Sequence, residues 1–236
     1  MTDCKHPLSP LSLLRQQSWL SPAFPTGSYS YSHAVERAVE AGDIHHRESL
    51  VDWLEADLRY GSGRNEAIFF VEAWRSATDD DCERLLGTAE LAAAFRGTSE
   101  FALETSQQAT ACLATLRRVW PDPLIGGLSV FLSELTIAPV LSVVFGVRAA
   151  REEIPSSLAL PAFLQGCLAN LVTAGVRLVP LGQMDGQLCI AELEPAVLAV
   201  AAEAENATIR DLGSAAFQVD LASASHETQY TRLFRS

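Results

Sequence analysis

Lysine is almost missing from this chain: Lys5 is the only one. Nearly every positive charge is therefore an arginine guanidinium, a planar fork suited to bidentate pairing with carboxylate or phosphate. The shortage excludes a chemistry. A phosphate-binding GxxxxGK[ST] loop needs a lysine after its second glycine, and none exists beyond position 5, so the chain is no P-loop GTPase or ATPase by itself. Positive charge of any kind is scarce, with 17 Lys and Arg against 29 Asp and Glu and a formal charge of -12. Such a field repels polyanions, which argues against nucleic acid and anionic membrane surfaces as partners.

Cysteine is equally uninformative as a framework. Cys4, Cys82, Cys112, Cys167 and Cys189 are odd in number, scattered, and nowhere spaced as CxxC. That pattern fits reduced, mostly buried thiols of a cytoplasmic protein, not a disulfide scaffold or structural zinc site. The N-terminus lacks the basic start, apolar core and small-residue cleavage site of a secretory signal. Charged residues are only 19% of the chain and hydrophobic ones 48%, as in a well-packed globular protein.

Uncharged runs raise the question of a membrane. Ile154 to Val176 carries no formal charge, but it contains Pro155, Ser156, Ser157, Pro161, Gln165 and Asn170, which suit a helix start and polar contacts. Leu135 to Val147 lies between Glu134 and Arg148 and as a helix would reach about 20 Å, short of the roughly 30 Å hydrocarbon core. Both read as buried core helices.

Alternating strand patterns longer than a few residues are absent, and the period is helical throughout. Val51, Leu54 and Leu58 share a face, with Ser49 and Asp52 in capping-box spacing and Gly61 as the stop. Ala67, Phe70, Val71 and Trp74 form a second stripe. Asp79, Asp80 and Asp81 precede a helix through Leu85, Leu86 and Ala89. Ala109, Cys112, Leu113 and Leu116 lie opposite Glu104, Gln107, Gln108 and Arg118, and Pro121 with Pro123 ends that helix. From Leu124 to Val179 the pattern is apolar nearly all round, as expected of a central layer, and Pro161 and Pro195 fit first turns of helices. The expectation is one all-α domain over residues 1–236, a bundle of eight to ten helices with two strongly apolar central ones. A flexible N-terminus over about 1–10 and a partner-binding tail over about 222–236 flank it.

Catalytic signatures fail one by one. His226-Glu227-Thr228-Gln229-Tyr230 approaches HExxH, but a phenol stands where the second zinc-binding histidine is needed, so a zinc hydrolase on His226 and Glu227 is a remote alternative. His45 and His46 adjoin Arg47 and Glu48 in a polar turn, and Cys4 with His6 lies in the terminal stretch. No GxSxG elbow exists, and Gly61-Ser62-Gly63 lacks the strand and third glycine of a dinucleotide loop. One stretch resists a bland reading. From Ser21 to His33, two prolines, Gly27, several hydroxyls and two phenols crowd ahead of a helix Ala34 to Ala41 that Gly42 stops, more than helix capping requires.

These residues resemble the UreF family of urease accessory proteins. Leu13-Leu14, Ser21 to Pro25, Gly27 to His33 and Glu36 are similar to its LL...SPALPVGAFSYSxGLE opening. Val176 to Gln187 is similar to its VRLxPLGQTDGQ segment, and Ser225 to Ser236 to its RHETQYSRLFRS tail. Thr26 replaces the usual Val, Ala34-Val35 stands where Gly-Leu is common, and Met184 takes a Thr position. Between Asp43 and Leu160 only the helical pattern matches.

The resemblance implies an all-α, homodimeric, cytoplasmic protein that catalyses nothing itself. It implies an adaptor joining a UreD/UreH-type scaffold and the GTPase UreG on apo-urease, so that nickel is inserted with GTP hydrolysis. GTP would be bound by the partner, and no cofactor would be held stably. His33 and His226 are the transient nickel candidates. The partner-binding candidates are Gly27, Ser28, Tyr29, Ser30, Tyr31, Ser32 and Glu36 together with Tyr230, Arg232, Leu233, Phe234 and Arg235. Arg232 and Arg235, flanking the apolar pair Leu233 and Phe234, are expected to form a docking element that stays poorly ordered until bound.

Overall fold

A computed structural model describes residues 8–236; Cys4, Lys5 and His6 lie outside the described residues. Among these, the secondary structure is helical without strands, in eleven α-helices, one more than expected: α1 Pro10–Trp19, α2 Val35–Ala41, α3 Arg47–Tyr60, α4 Ser62–Thr78, α5 Cys82–Ala94, α6 Ser99–Val119, α7 Pro123–Glu134, α8 Leu141–Arg151, α9 Ser156–Leu178, α10 Gln183–Ala204 and α11 Phe217–His226. Short 3-10 turns sit at Ser28–Ser30 and Ile209–Asp211.

Local chemistry sets several boundaries. Asp81 opens α5 by accepting the Arg84 N–H at 3.0 Å, as the acidic run suggests. Asp122 accepts the Leu124 and Ile125 N–H groups, and Pro123 fills the first turn of α7. The start of α3 differs from expectation. His46 is the cap, its Nδ1 accepting the Ser49 N–H at 3.0 Å while Ser49 Oγ accepts the His46 N–H at 3.2 Å. Ser49 is thus the third helical residue of that box, and the helix begins a turn earlier.

Both proline assignments change. Pro161 lies more than a turn inside α9 and Pro195 lies midway along α10; long flanking apolar segments keep each helix running through the missing N–H. The run Leu135 to Val147 is not one helix either. It breaks between α7 and α8, where Thr136 has φ 57° and Pro139 follows.

The core is built around α4 and α8. Phe69, Phe70, Val143, Val144 and Val147 are fully or nearly fully buried. Phe163 of α9 lies 5.3 Å from Phe70 and 5.7 Å from Phe145, ring to ring. Gly146 lets the two helices touch, since a Cβ there would stand 2.4 Å from the Phe70 carbonyl oxygen. The Val176 to Gln187 motif makes the next crossing. Asp185 accepts the Gly182 N–H at 3.0 Å to start α10, and buried Gly186 passes α9 where a Cβ would meet Val176 at 3.1 Å. Helix α9 is long and apolar enough to cross a membrane, but 44% of its most apolar window is buried inside the protein.

Candidate functional site

The stretch from Ser21 to His33 folds as a compact loop ending in a strained step. Gly27 supplies φ 75° ahead of the 3-10 turn, and His33 and Ala34 both adopt positive φ, 52° and 67°. Left-handed backbone costs a residue with a Cβ about 1–2 kcal/mol. Ala34 occupies the place where the resembled pattern has glycine, and its methyl is buried in compensation.

What holds this loop is the C-terminal segment. The Arg235 N–H donates to the Ser30 carbonyl at 2.8 Å, and the Ser32 N–H donates to the Ser236 carbonyl at 2.9 Å. Ser32 Oγ donates to the same carbonyl. Glu36 at the start of α2 is buried and accepts from Leu233 N–H at 2.6 Å and Phe234 N–H at 2.9 Å. Phe234 is buried, and the Arg177 guanidinium lies 4.6 Å from its ring centroid while donating to the Tyr29 carbonyl. The opening motif, the Arg177 segment and the tail therefore meet at one place.

Below the tail lies a charged cluster. His226, the last residue of α11, is fully buried, with Nε2 3.1 Å from Glu36 Oε2 and Nδ1 2.6 Å from Glu100 Oε2. Arg232 pairs with Glu100 and donates to the Arg235 carbonyl at 3.0 Å. Two carboxylates thus face one guanidinium and one imidazole in a largely buried site. Buried charges of this kind persist only when each is matched and hydrogen-bonded.

His33 forms a second set. Its Nδ1 is 3.1 Å from Glu104 Oε2, its Nε2 is 2.8 Å from Ser62 Oγ, and its ring stacks on Phe101 at 3.9 Å. Ser236 Oγ donates to the same Glu104 oxygen at 2.8 Å, linking this set to the tail. Burial by itself would depress the imidazole, but the charge and hydrogen bond of Glu104, with Asp57 and Glu66 behind it, lift its pKa to about 9. A folded-state pKa raised above the ordinary 6.5 gives stability that is complete below about pH 6.5 and is lost as pH rises through about 9. Urea unfolding of the wild type should therefore show a loss of about 3 kcal/mol across that window. His33→Gln should remove most of that slope, and an unchanged slope would show that His33 does not carry it.

A cleft of about 460 Å³ opens beside His33, walled by Trp19, Phe101, Phe145 and Phe163, with Asp57, Glu66 and Glu104 contributing carboxylates. Among the described residues no group of three or more His, Cys, Asp and Glu could hold a metal ion. His33 and His226, the nickel candidates, are both engaged in hydrogen-bond sets of their own.

Two expectations need correction. The tail is seated on the protein's own body, not free until bound, and its apolar pair is split: Phe234 points inward and Leu233 stays 59% exposed. Arg232 is occupied by Glu100, while Arg235 lies 5.6 Å over the Tyr31 ring. Tyr31 is buried and its hydroxyl donates to Gln107 Oε1 at 3.3 Å; burial, more than the opposing Arg235, raises its pKa. Tyr29, Tyr230 and Leu233 are the exposed aromatic and apolar members of the candidate set; Arg232 and Arg235 are also exposed, with the contacts just given. The HExxH-like reading also fails, because α11 ends at His226, so Tyr230 is not on its helical face, and Glu227 is paired with Ser99.

Glu100 and Glu104 are the residues that sequence reasoning misses. The apolar stripe of α6 puts Glu104 and Gln108 on the opposite, solvated face, yet Glu100 and Gln108 are buried. The i, i+4 spacing of the two glutamates on one helix face is the available signal.

Comparison with known proteins shows the family of the chain. The UreF family model matches residues 44–194. "Urease accessory protein UreF" of Bradyrhizobium sp. strain BTAi1 is 47% identical over 100% of this chain and 95% of its own length. The proteins of the same description from Rhodopseudomonas palustris strain BisB5 and Xanthobacter autotrophicus strain Py2 are 46% and 44% identical, over 95% and 97% of this chain and 91% and 93% of their own lengths. With a family model covering more than half the residues and relatives at this identity along its length, the chain belongs to the UreF family of urease accessory proteins.

Proposed function

We propose that the chain is a non-catalytic adaptor in urease maturation. It joins a UreD/UreH-type scaffold and the GTPase UreG on apo-urease in the cytoplasm, acting as a homodimer, so that nickel is inserted as cargo with GTP hydrolysis by the partner. The observation that carries this reading is the convergence of three distant segments on one seat, with Tyr29, Tyr230 and Leu233 turned outward around it. The two tyrosines are of the kind that anchor protein interfaces, and Leu233 adds apolar surface beside them. The lack of a lysine beyond position 5 leaves nucleotide hydrolysis to a partner.

Co-purification from cells expressing the scaffold, UreG and urease tests it. Tyr29→Ala with Leu233→Ala should lower recovery of the complex by about tenfold or more, the effect of removing one or two interface anchors. Because both side chains are exposed, the melting temperature should move by less than about 2 °C. Full recovery with these variants would make the seat purely structural.

A further inference from the structure

Helix α10 carries a second pattern that its own packing does not use. Met184, Leu188, Ala191, Pro195, Leu198 and Ala202 recur at alternating steps of four and three, the spacing that keeps one seam of a helix turned toward another helix. All six are exposed, Met184 by 73% and Leu198 by 61%. Cys189, Leu193, Val197 and Val200 on the other side are buried where α10 packs on α3, α4 and α9. Single exposed apolar residues are ordinary, but six in register on one face are not scatter.

The flanks of the seam say what could cover it. At 100° per residue, Asp185, Glu192 and Glu203 fall on one side, and Glu194 and Glu205 on the other. Helix α10 contains no Lys or Arg. Glu192 has a counter-ion from α3, Arg47, at 2.5 Å, and Asp185 is used as a cap, whereas Glu194 and Glu203 are exposed. A second copy laid across this seam would set carboxylates against carboxylates in a chain of charge -12, and an anionic membrane would be repelled in the same way. Pro195 adds a polar feature, since it offers no N–H to the Ala191 carbonyl one turn back and leaves that acceptor available on the exposed face.

We propose that the exposed seam of α10 docks a basic amphipathic helix of a partner protein. Apolar residues at the same alternating spacing would fill the seam, and Lys or Arg beside them would meet the flanking carboxylates. The proposal deepens the adaptor reading and rests on it for the existence of a partner, but the preference for a basic helix belongs to the seam itself.

The test is fluorescence anisotropy of the full chain with two synthetic helical peptides of about 21 residues, three heptads with Leu at the seam positions. One carries Lys and Arg beside the seam and the other Glu. At about 0.1 M salt the basic peptide should bind at least about tenfold tighter than the acidic one. Leu188→Glu with Leu198→Glu, and separately Glu194→Lys with Glu203→Lys, should each weaken it about tenfold, the second pair without touching apolar surface. Glu83→Lys with Glu90→Lys, exposed on α5, should change it less than about twofold, which separates the seam from the chain's general acidity. Circular dichroism checks that each variant remains helical. Equal loss from the α5 pair, no loss from either seam pair, or equal binding of both peptides would overturn the proposal. So would a dimer that Leu188→Glu with Leu198→Glu dissociates, because the occupant would then be a second copy. Failure of the seam variants alongside a loss of partner recovery in Tyr29→Ala with Leu233→Ala removes the seam and leaves the adaptor reading standing.

Discussion

Glu36→Ala is expected to unseat the C-terminal segment and to destabilise the protein by about 3–5 kcal/mol, the usual cost of stranding a buried charge partner. One carboxylate there serves the Leu233 and Phe234 N–H groups and His226 Nε2. Alanine would leave all three without an acceptor in a site where Phe234 and His226 are buried, and each orphaned donor carries its own desolvation cost. For a chain of this size the melting temperature should fall by about 6–20 °C. Trypsin cleavage after Arg232, followed by mass spectrometry, should rise as the segment detaches. Glu36→Gln keeps one acceptor oxygen and should fall between wild type and alanine. A Glu36→Ala protein that melts within about 2 °C of wild type and stays protected at Arg232 would mean that Phe234 alone holds the segment.

Gly146→Ala should cost about 3 kcal/mol, the upper part of the usual range for overpacking. Its new methyl would stand 2.4 Å from the Phe70 carbonyl oxygen and 3.3 Å from Ala73 Cβ. A helical carbonyl cannot rotate aside, so α4 and α8 would have to separate along the centre of the core. Gly175→Ala is a useful contrast, because the clash at 2.5 Å is with a methyl of Leu50, which can change rotamer, and about 1 kcal/mol is expected. At Gly87 in α5 a new methyl would meet nothing within 4 Å, and alanine should stabilise by about 0.8–1 kcal/mol. Urea midpoints for the three variants should fall in that order with the sign reversed at the last. If Gly146→Ala were as benign as Gly87→Ala, the close approach of α4 and α8 would be wrong.

Helix periodicity is readable because apolar spacing along one chain segment is a local signal. The stripes at Val51, Leu54 and Leu58 and at Ala109, Cys112, Leu113 and Leu116 are all buried. The failures arise where a distant partner decides the outcome. Glu100 and Glu104 look like a solvated face until Arg232, His226 and Ser236 are brought to them from more than 120 residues away. Pro161 and Pro195 look like helix starts until the packing of α9 and α10 carries each helix through them. The site is legible as three separate motifs, but not as a single seat. Nothing in the spacing of Glu36 and Phe234 says that the carboxylate of the first accepts the backbone N–H of the second.

The seat also has a consequence for how the chain reaches its final state. Ser32 and Ser236 are 204 positions apart and Glu36 and Phe234 are 198 apart, so these are among the most non-local contacts the chain can make, and loops of that length close late. The opening motif precedes the 226–236 segment along the chain, and Glu36 and Glu100 lack their counterparts until that segment packs. With that segment in place, Glu36 and Glu100 are buried under a closed surface; without it, the same carboxylates would lose the groups that match them. The hydrogen bonds that fix this segment therefore form only once the two far ends of the fold have come together.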